Sequence, residues 1–167
     1  MTRKGAKRLT TYDHLPVLER RRIQAEVVKP IYEAMVVRIG EEMARDILGG
    51  AIKKAAIAEG KRFAERDGDK GGLEGFLAMQ HLWEADGALE TETVEQTATT
   101  YAYKVVRCKY AEMYREMGLA DIGFLLSCNR DGTFCEGYDP NLKLTRRQTL
   151  MQGADHCDFH YRLEGDS

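Results

Sequence analysis

Leu89–Gln96 reads LETETVEQ and, after Thr97, Ala98 and Thr99, Thr100–Arg107 reads TYAYKVVR. Thr alternates with Glu in the first run, and in the second Tyr101, Tyr103 and Val105 fall on one face. A period of two in β-branched and aromatic residues predicts two strands. The short polar break between them predicts an antiparallel hairpin.

Upstream of Asp86-Gly87 the period is helical instead. Asp13 is placed to cap a first helix with Pro16 in its first turn, and Leu15, Leu18, Ile23, Val27 and Ile31 follow at helical spacing. Pro30 has no backbone donor and is expected to kink or end that helix. Ile31, Met35 and Ile39 carry the pattern on to Gly40. A second helix, from Glu41 to about Arg66, sets Met43, Ile47, Leu48, Ala51, Ala55 and Ala58 on one broad face. Gly49-Gly50 inside it implies either close packing or a local break. Asp67–Gly72 is a turn cluster, and Leu73–Trp83 reads as a short helix.

Downstream, Cys108–Met117 and Leu119–Cys128 return to helical patterning. Asn129–Pro140 holds Asp131-Gly132 and Asp139-Pro140, which is turn chemistry, and Asn141–Gln152 and Cys157–Leu163 read as the last two strands. The expected class is α+β: N-terminal helices packed on a small antiparallel sheet of about four strands, interrupted by two helices. Residues 1–12 read as a flexible basic tail and 13–167 as one domain, helical over 13–85 and sheet-containing over 86–167.

At 167 residues the chain can bury a core without disulfide or metal staples. Twenty-five Lys+Arg against twenty-seven Asp+Glu leave a net charge of -2, so no generally basic surface for nucleic acid is expected. Arg3, Lys4, Lys7 and Arg8 read as a solvated end. No apolar run reaches the ~18 residues that span a bilayer, and the basic start lacks the apolar stretch of a secretory signal. A cytoplasmic protein is therefore expected, with Cys108, Cys128, Cys135 and Cys157 reduced. No C-x-x-C pair, glycine-rich phosphate loop, Gly-x-Ser-x-Gly elbow or His-Glu-x-x-His is present, which argues against redox-motif, nucleotide and zincin chemistry.

The richest segment for chemistry is GADHCDFHYRL, Gly153–Leu163. A strand here sends Cys157, Phe159, Tyr161 and Leu163 to one face and His156, Asp158, His160 and Arg162 to the other. Cys157 is then either a small core residue or a nucleophile lining a pocket. His156 and His160 stand about 13 Å apart by strand rise, too far to share one metal ion. His156, beside Asp155 at the strand's start, either bonds backbone in a turn or bends back toward Cys157. In the second case the three would make an activated thiol or water. Cys128-Asn129-Arg130-Asp131 closes a helix and offers an amide donor and a carboxylate. Cys108 begins a helix, where the dipole lowers a thiol's pKa. Arg146 and Arg147 point to opposite faces of a strand, and one of them could fork onto a substrate carboxylate. Cys135 has no chemical signature and reads as packing.

Four ordered blocks between Arg107 and Phe159 resemble the L-2-amino-thiazoline-4-carboxylic acid hydrolase family: RCKYAEMY at Arg107–Tyr114, CNRD at Cys128–Asp131, LTRRQT at Leu144–Thr149 and GADHCDF at Gly153–Phe159. Cys108, Cys128 and Cys157 fall within these blocks. Cys135 stands where the family is more often aliphatic, and His160 where it more often has Arg. The resemblance implies a hydrolase that opens a small heterocycle at a non-peptide C–N bond. Water adds to the ring carbon between nitrogen and sulfur, and the ring opens toward a carbamoyl-cysteine. It implies Cys157 or Cys128 as nucleophile or ligand, His156 as acid/base and Asp155 or Asp131 as orienting carboxylate. Asn129 would be a donor to the tetrahedral intermediate, Arg146 a clamp for the substrate carboxylate and Cys108 a further wall of the substrate site.

The C-terminal layout also resembles the small-molecule-binding vinyl-4-reductase domains. That alternative is a sensor-like module without turnover, whose cysteines brace the pocket or, with His156, bind zinc if the fold gathers them. The hydrolase reading requires no cofactor but leaves zinc open, a metal-activated water being the alternative to an attacking thiol. The expected partner is a small molecule rather than nucleic acid or membrane, and the paired long helices either form a homodimer or cover the sheet.

Overall fold

The computed structural model describes residues 15–67 and 71–165. The Asp13 cap and the tail lie outside them, as do 68–70 of the turn cluster. Two long helices, α1 (Val17–Ile39) and α2 (Glu41–Asp67), precede two short ones, α3 (Gly72–Ala78) and α4 (His81–Glu84). The hairpin follows as β1 (Leu89–Gln96) and β2 (Thr100–Cys108), then α5 (Lys109–Glu116), a π-helical turn at Phe124–Cys128 and α6 (Asn129–Tyr138). β3 (Leu142–Thr145), a 3-10 turn at Leu150–Gln152 and β4 (Cys157–Leu163) complete the chain. All strand pairs are antiparallel, in the order β1-β2-β4-β3. The class is α+β, with the hairpin and the last strand where their period of two put them.

The structure departs from the sequence reading at several points. α1 runs on through Pro30, which is exposed, because Ala25 before it and Tyr32 after it both anchor the helix in the core. α2 continues through Gly49-Gly50: a Cβ on Gly49 would rest 3.5 Å from Leu125, whereas Gly50 faces open space. Asn129–Tyr138 is helix rather than loop, since Phe134, Cys135 and Tyr138 bury there and packing outweighs the turn preference of Asp131-Gly132. Of the helix expected over Leu119–Cys128 the π turn at Phe124–Cys128 forms, and β3 stops at Thr145.

The buried faces of the long helices also differ. Ile23, Val27 and Ile31 are 52%, 61% and 54% exposed, and Met43 and Ile47 are exposed too. Val17, Arg21, Ala25 and Tyr32 turn inward on α1, and Ala44, Ala56 and Glu59 on α2. Both faces carry apolar residues at helical spacing, and only the one that meets the sheet half is covered.

The α2–α6 crossing positions the site. A Cβ on Gly60 would run into the carbonyl oxygen of Phe134 and stand 2.8 Å from Tyr138 N, and one on Gly137 would run into the carbonyl oxygen of Ile57. The two backbones therefore touch, and Glu59 is carried against Arg130. On the sheet, Tyr103, Val105, Cys157 and Tyr161 point toward the helices and are buried. β1 is exposed along nearly its whole length, and Glu90, Glu92 and Glu95 discourage further pairing at that edge.

Candidate active site

Between the helices and the inner face of the sheet lies a cavity of two adjoining lobes, about 50 and 60 Å³ to the centres of water-sized spheres. Each has room for roughly three or four waters, which suits a small ligand. One lobe is walled by the thiols of Cys108, Cys128 and Cys157 with Val105 and Met151. The other is aromatic, walled by Phe76, Tyr103, Phe134 and Tyr161. Arg21, Arg130, Asp131, Trp83 and Phe159 line both.

Asp131 enters from the first turn of α6, and Arg146 from the segment just beyond β3. Arg146 Nη1 donates a short hydrogen bond to Asp131 Oδ2, Nη2 donates to the Cys128 carbonyl at 2.9 Å, and the guanidinium sits 4.8 Å over the Phe159 ring. Arg146 is thus held through both terminal nitrogens. Asp131 is 26% exposed, and it is exposed to the cavity. Burial raises its pKa above the usual aspartate range although Arg146 pulls it down.

Burial also pushes up every thiol. Cys108 rises to about 11 even though the Ala111 and Tyr110 amides of α5 favour its thiolate, so desolvation outweighs the helix-start effect expected from sequence. Cys128 rises further, with Asp131 adding to the burial. Cys157 is raised by burial, opposed by the Leu150 amide, which donates to Sγ at 3.2 Å, and by Arg146. Cys135 is fully buried in the aromatic cluster and lines neither lobe, as expected of packing.

A second ionic group closes the wall between the lobes. Glu59 Oε2 accepts from Arg21 Nη2 and from Arg130 Nη1, each at 3.2 Å, and Arg20 Nη1 lies 3.9 Å from Oε1. Burial alone would raise Glu59, but the three guanidiniums hold it below the usual range. Burial lowers Arg130 to about 10, and its neighbour Arg21 adds to the effect.

Of the residues singled out from sequence, Cys108, Cys128, Cys157, Asp131 and Arg146 line one lobe. Asn129 lines neither, although its Nδ2 is buried without a hydrogen-bond partner. His156 and Asp155 do pair, Nδ1 to Oδ1 at 2.6 Å, but His156 lines a groove on the opposite face of the sheet with Lys104, Asp158 and His160. Strand alternation turns Cys157 inward and its neighbour outward. For the same reason the thiols and His156 are not gathered for zinc. Among the described residues no group of three or more His, Cys, Asp or Glu could hold a metal ion.

Arg21, Glu59 and Arg130 escaped the sequence reading. Arg21 does lie in step with Val17 and Ala25, and Glu59 precedes the Gly60 contact. Their partners, however, are 38 and 71 residues apart in the chain.

The sequence profile of the L-2-amino-thiazoline-4-carboxylic acid hydrolase family matches residues 20–161. The chain belongs to that family. The match spans both the helical half and the sheet half, so both walls of this family member's cavity fall within it. No curated protein matches the sequence. Among solved structures, the phenol-responsive sensory domain of the transcription activator PoxR, crystallised with phenol, is similar in fold. Its TM-score is 0.51 at 10% identity, over 82% of this chain and 73% of that one. No helix among the described residues is long and apolar enough to cross a membrane.

Proposed function

We propose that the protein is a hydrolase that opens a small heterocycle at a non-peptide C–N bond, acting on a thiazoline- or cyclic-amidine-like carboxylate. The observation that carries this reading is the meeting of Cys157, Asp131 and Arg146 in one lobe of a member of a hydrolase family. Attack on the ring carbon between two heteroatoms needs a nucleophile, a group that moves a proton and donors for the intermediate. Cys157 is the thiol best suited to attack, because an amide donates to its sulfur and Arg146 favours its thiolate. Asp131, with its raised pKa, takes the proton from the thiol or from an attacking water and returns it to the leaving ring atom. Where the thiol attacks, a water then hydrolyses the adduct, breaking its bond to sulfur and restoring the thiol. Arg146 holds that carboxylate in place. His156 and Asp155 have no part in this scheme.

The test is mass spectrometry of L-2-amino-thiazoline-4-carboxylate incubated with purified protein. A product heavier by one water, lost in Asp131→Asn, is the expected result. No product from this or related cyclic amidines would refute the reading.

The likeness in fold to the PoxR sensory domain supports a second reading, a binding module without turnover. The lobe formed by Phe76, Tyr103, Phe134 and Tyr161 suits an apolar ring. Saturable binding of such a ring with no change in its mass would favour it.

A further inference from the structure

The walls of the cavity hold more positive than negative charge. Arg21, Arg130 and Arg146 line it beside two carboxylates, Glu59 and Asp131, and Arg20 approaches Glu59 from outside the lining. Arg146 is matched by Asp131, while the ion pairs of the other three guanidiniums converge on one carboxylate, Glu59. Arg21 also donates to Gln24 Oε1 at 3.0 Å, and Arg130 Nε to the Leu126 carbonyl at 3.1 Å. Arg21 and Arg130 are only 5% and 9% exposed, and both line the wall where the lobes meet. Arg20, at the back of the cluster, has its Nε buried with no hydrogen-bond partner. Buried charge in excess of its partners is costly in a low dielectric, and it falls next to empty space. Guanidinium forks match a carboxylate in shape as well as in charge.

We propose that Arg21 and Arg130 form an anion subsite that takes the carboxylate of a small ring ligand at the junction of the lobes. The ring then lies toward Asp131 and the thiols or toward the aromatic wall. Arg146, already bonded to Asp131 and to the Cys128 carbonyl, is a positioning residue rather than the carboxylate clamp. The subsite rests on the reading that a small ring carboxylate is the occupant, and it does not require turnover.

The experiment is calorimetric titration of the full chain, in chloride-free buffer, with 2-amino-thiazoline-4-carboxylate, benzoate and the uncharged carboxamide of each. At least one carboxylate is expected to bind about tenfold or more tighter than its amide, the scale of a charge-assisted hydrogen bond. Arg21→Gln and Arg130→Gln should erase that difference and leave amide binding within about twofold. Glu59→Gln, which removes the competing negative charge from both guanidiniums, should tighten carboxylate binding about threefold or more. Thermal melts establish that each variant folds. Should the arginine variants fail to fold, the wild-type comparison and Glu59→Gln decide. Equal affinity for carboxylate and amide, no carboxylate binding, or a preference that survives all the folded variants overturns the proposal. Mass spectra of the same samples, extended to related cyclic amidines, keep the two readings apart, since a carboxylate preference with no product from any of these rings refutes the hydrolase and leaves the subsite standing.

Discussion

β4 presents two ionic neighbourhoods a peptide unit apart. On its inner side, Cys157 faces a cavity where Asp131, Arg146, Glu59, Arg21 and Arg130 are held largely out of water. On its outer side, His156 and Asp158 line an open groove with Arg147, which is 88% exposed in its pair with Asp158. Both sides pair arginine with a carboxylate, yet the environments give those pairs different worth. A charge on the outer face keeps its hydration, so its pairs matter little. On the inner face a charge must be matched by a specific partner, and its proton affinity is shifted.

The sharpest contrast is catalytic. Asp131→Asn should lower turnover by about a thousandfold, the middle of the range for loss of a general acid/base. His156→Ala should change it by less than about threefold. Steady-state assays by mass spectrometry measure both, and a large His156 effect would reverse the assignment of the two faces.

Stability should divide along the same line. Glu59→Ala leaves three guanidiniums without their carboxylate and is expected to cost about 3–5 kcal/mol in urea denaturation. Arg147→Ala is expected to cost less than about 1 kcal/mol. Comparable losses would mean that the sheet does not separate the two groups as described.

Cys157→Ser tests the inner face again. A chemical role predicts lost turnover with an unchanged melting transition, whereas a packing role predicts destabilisation of about 1–3 kcal/mol with activity kept. The proposed scheme expects the first.

A smaller effect lies in the pH dependence of stability. Glu59 is lowered in the folded state, so its contribution is complete above its unfolded value, about 4.3, and is lost as pH falls through the folded value. Asp131 is raised, so its effect has the opposite sign: stability is lost as pH climbs from about 3.9 toward the folded value. Denaturation between pH 3 and 7 should show a flatter acid limb in Glu59→Gln and a steeper net gain with pH in Asp131→Asn. The smallest effect is expected from Asp155→Asn, an exposed partner of His156, which should leave the melting temperature unchanged.

The hairpin was legible in the sequence because strand burial repeats every second residue and the code is local. The same code separated Cys157 from His156 before any fold was known, although the adjacency of the Asp155-His156-Cys157 run invited their grouping. The helices were less legible. α1 and α2 each carry two apolar stripes, and no local rule says which one meets the core. Asn129–Tyr138 reads as a turn until the glycine contacts with α2 make a helix the better packed state.

Composition and the order of residues determined the fold class and the run of the last strand, because each depends on neighbours in the chain. The meeting of Cys108, Cys128 and Cys157 in one lobe did not follow from local order. Which charges went inside depended on the tertiary fold. Arg21, Glu59 and Arg130 are tolerable only together, and they meet only when the α2–α6 crossing brings distant segments into contact. A buried ion is acceptable only beside its counterion, and that neighbour is supplied by the fold rather than by the sequence around it.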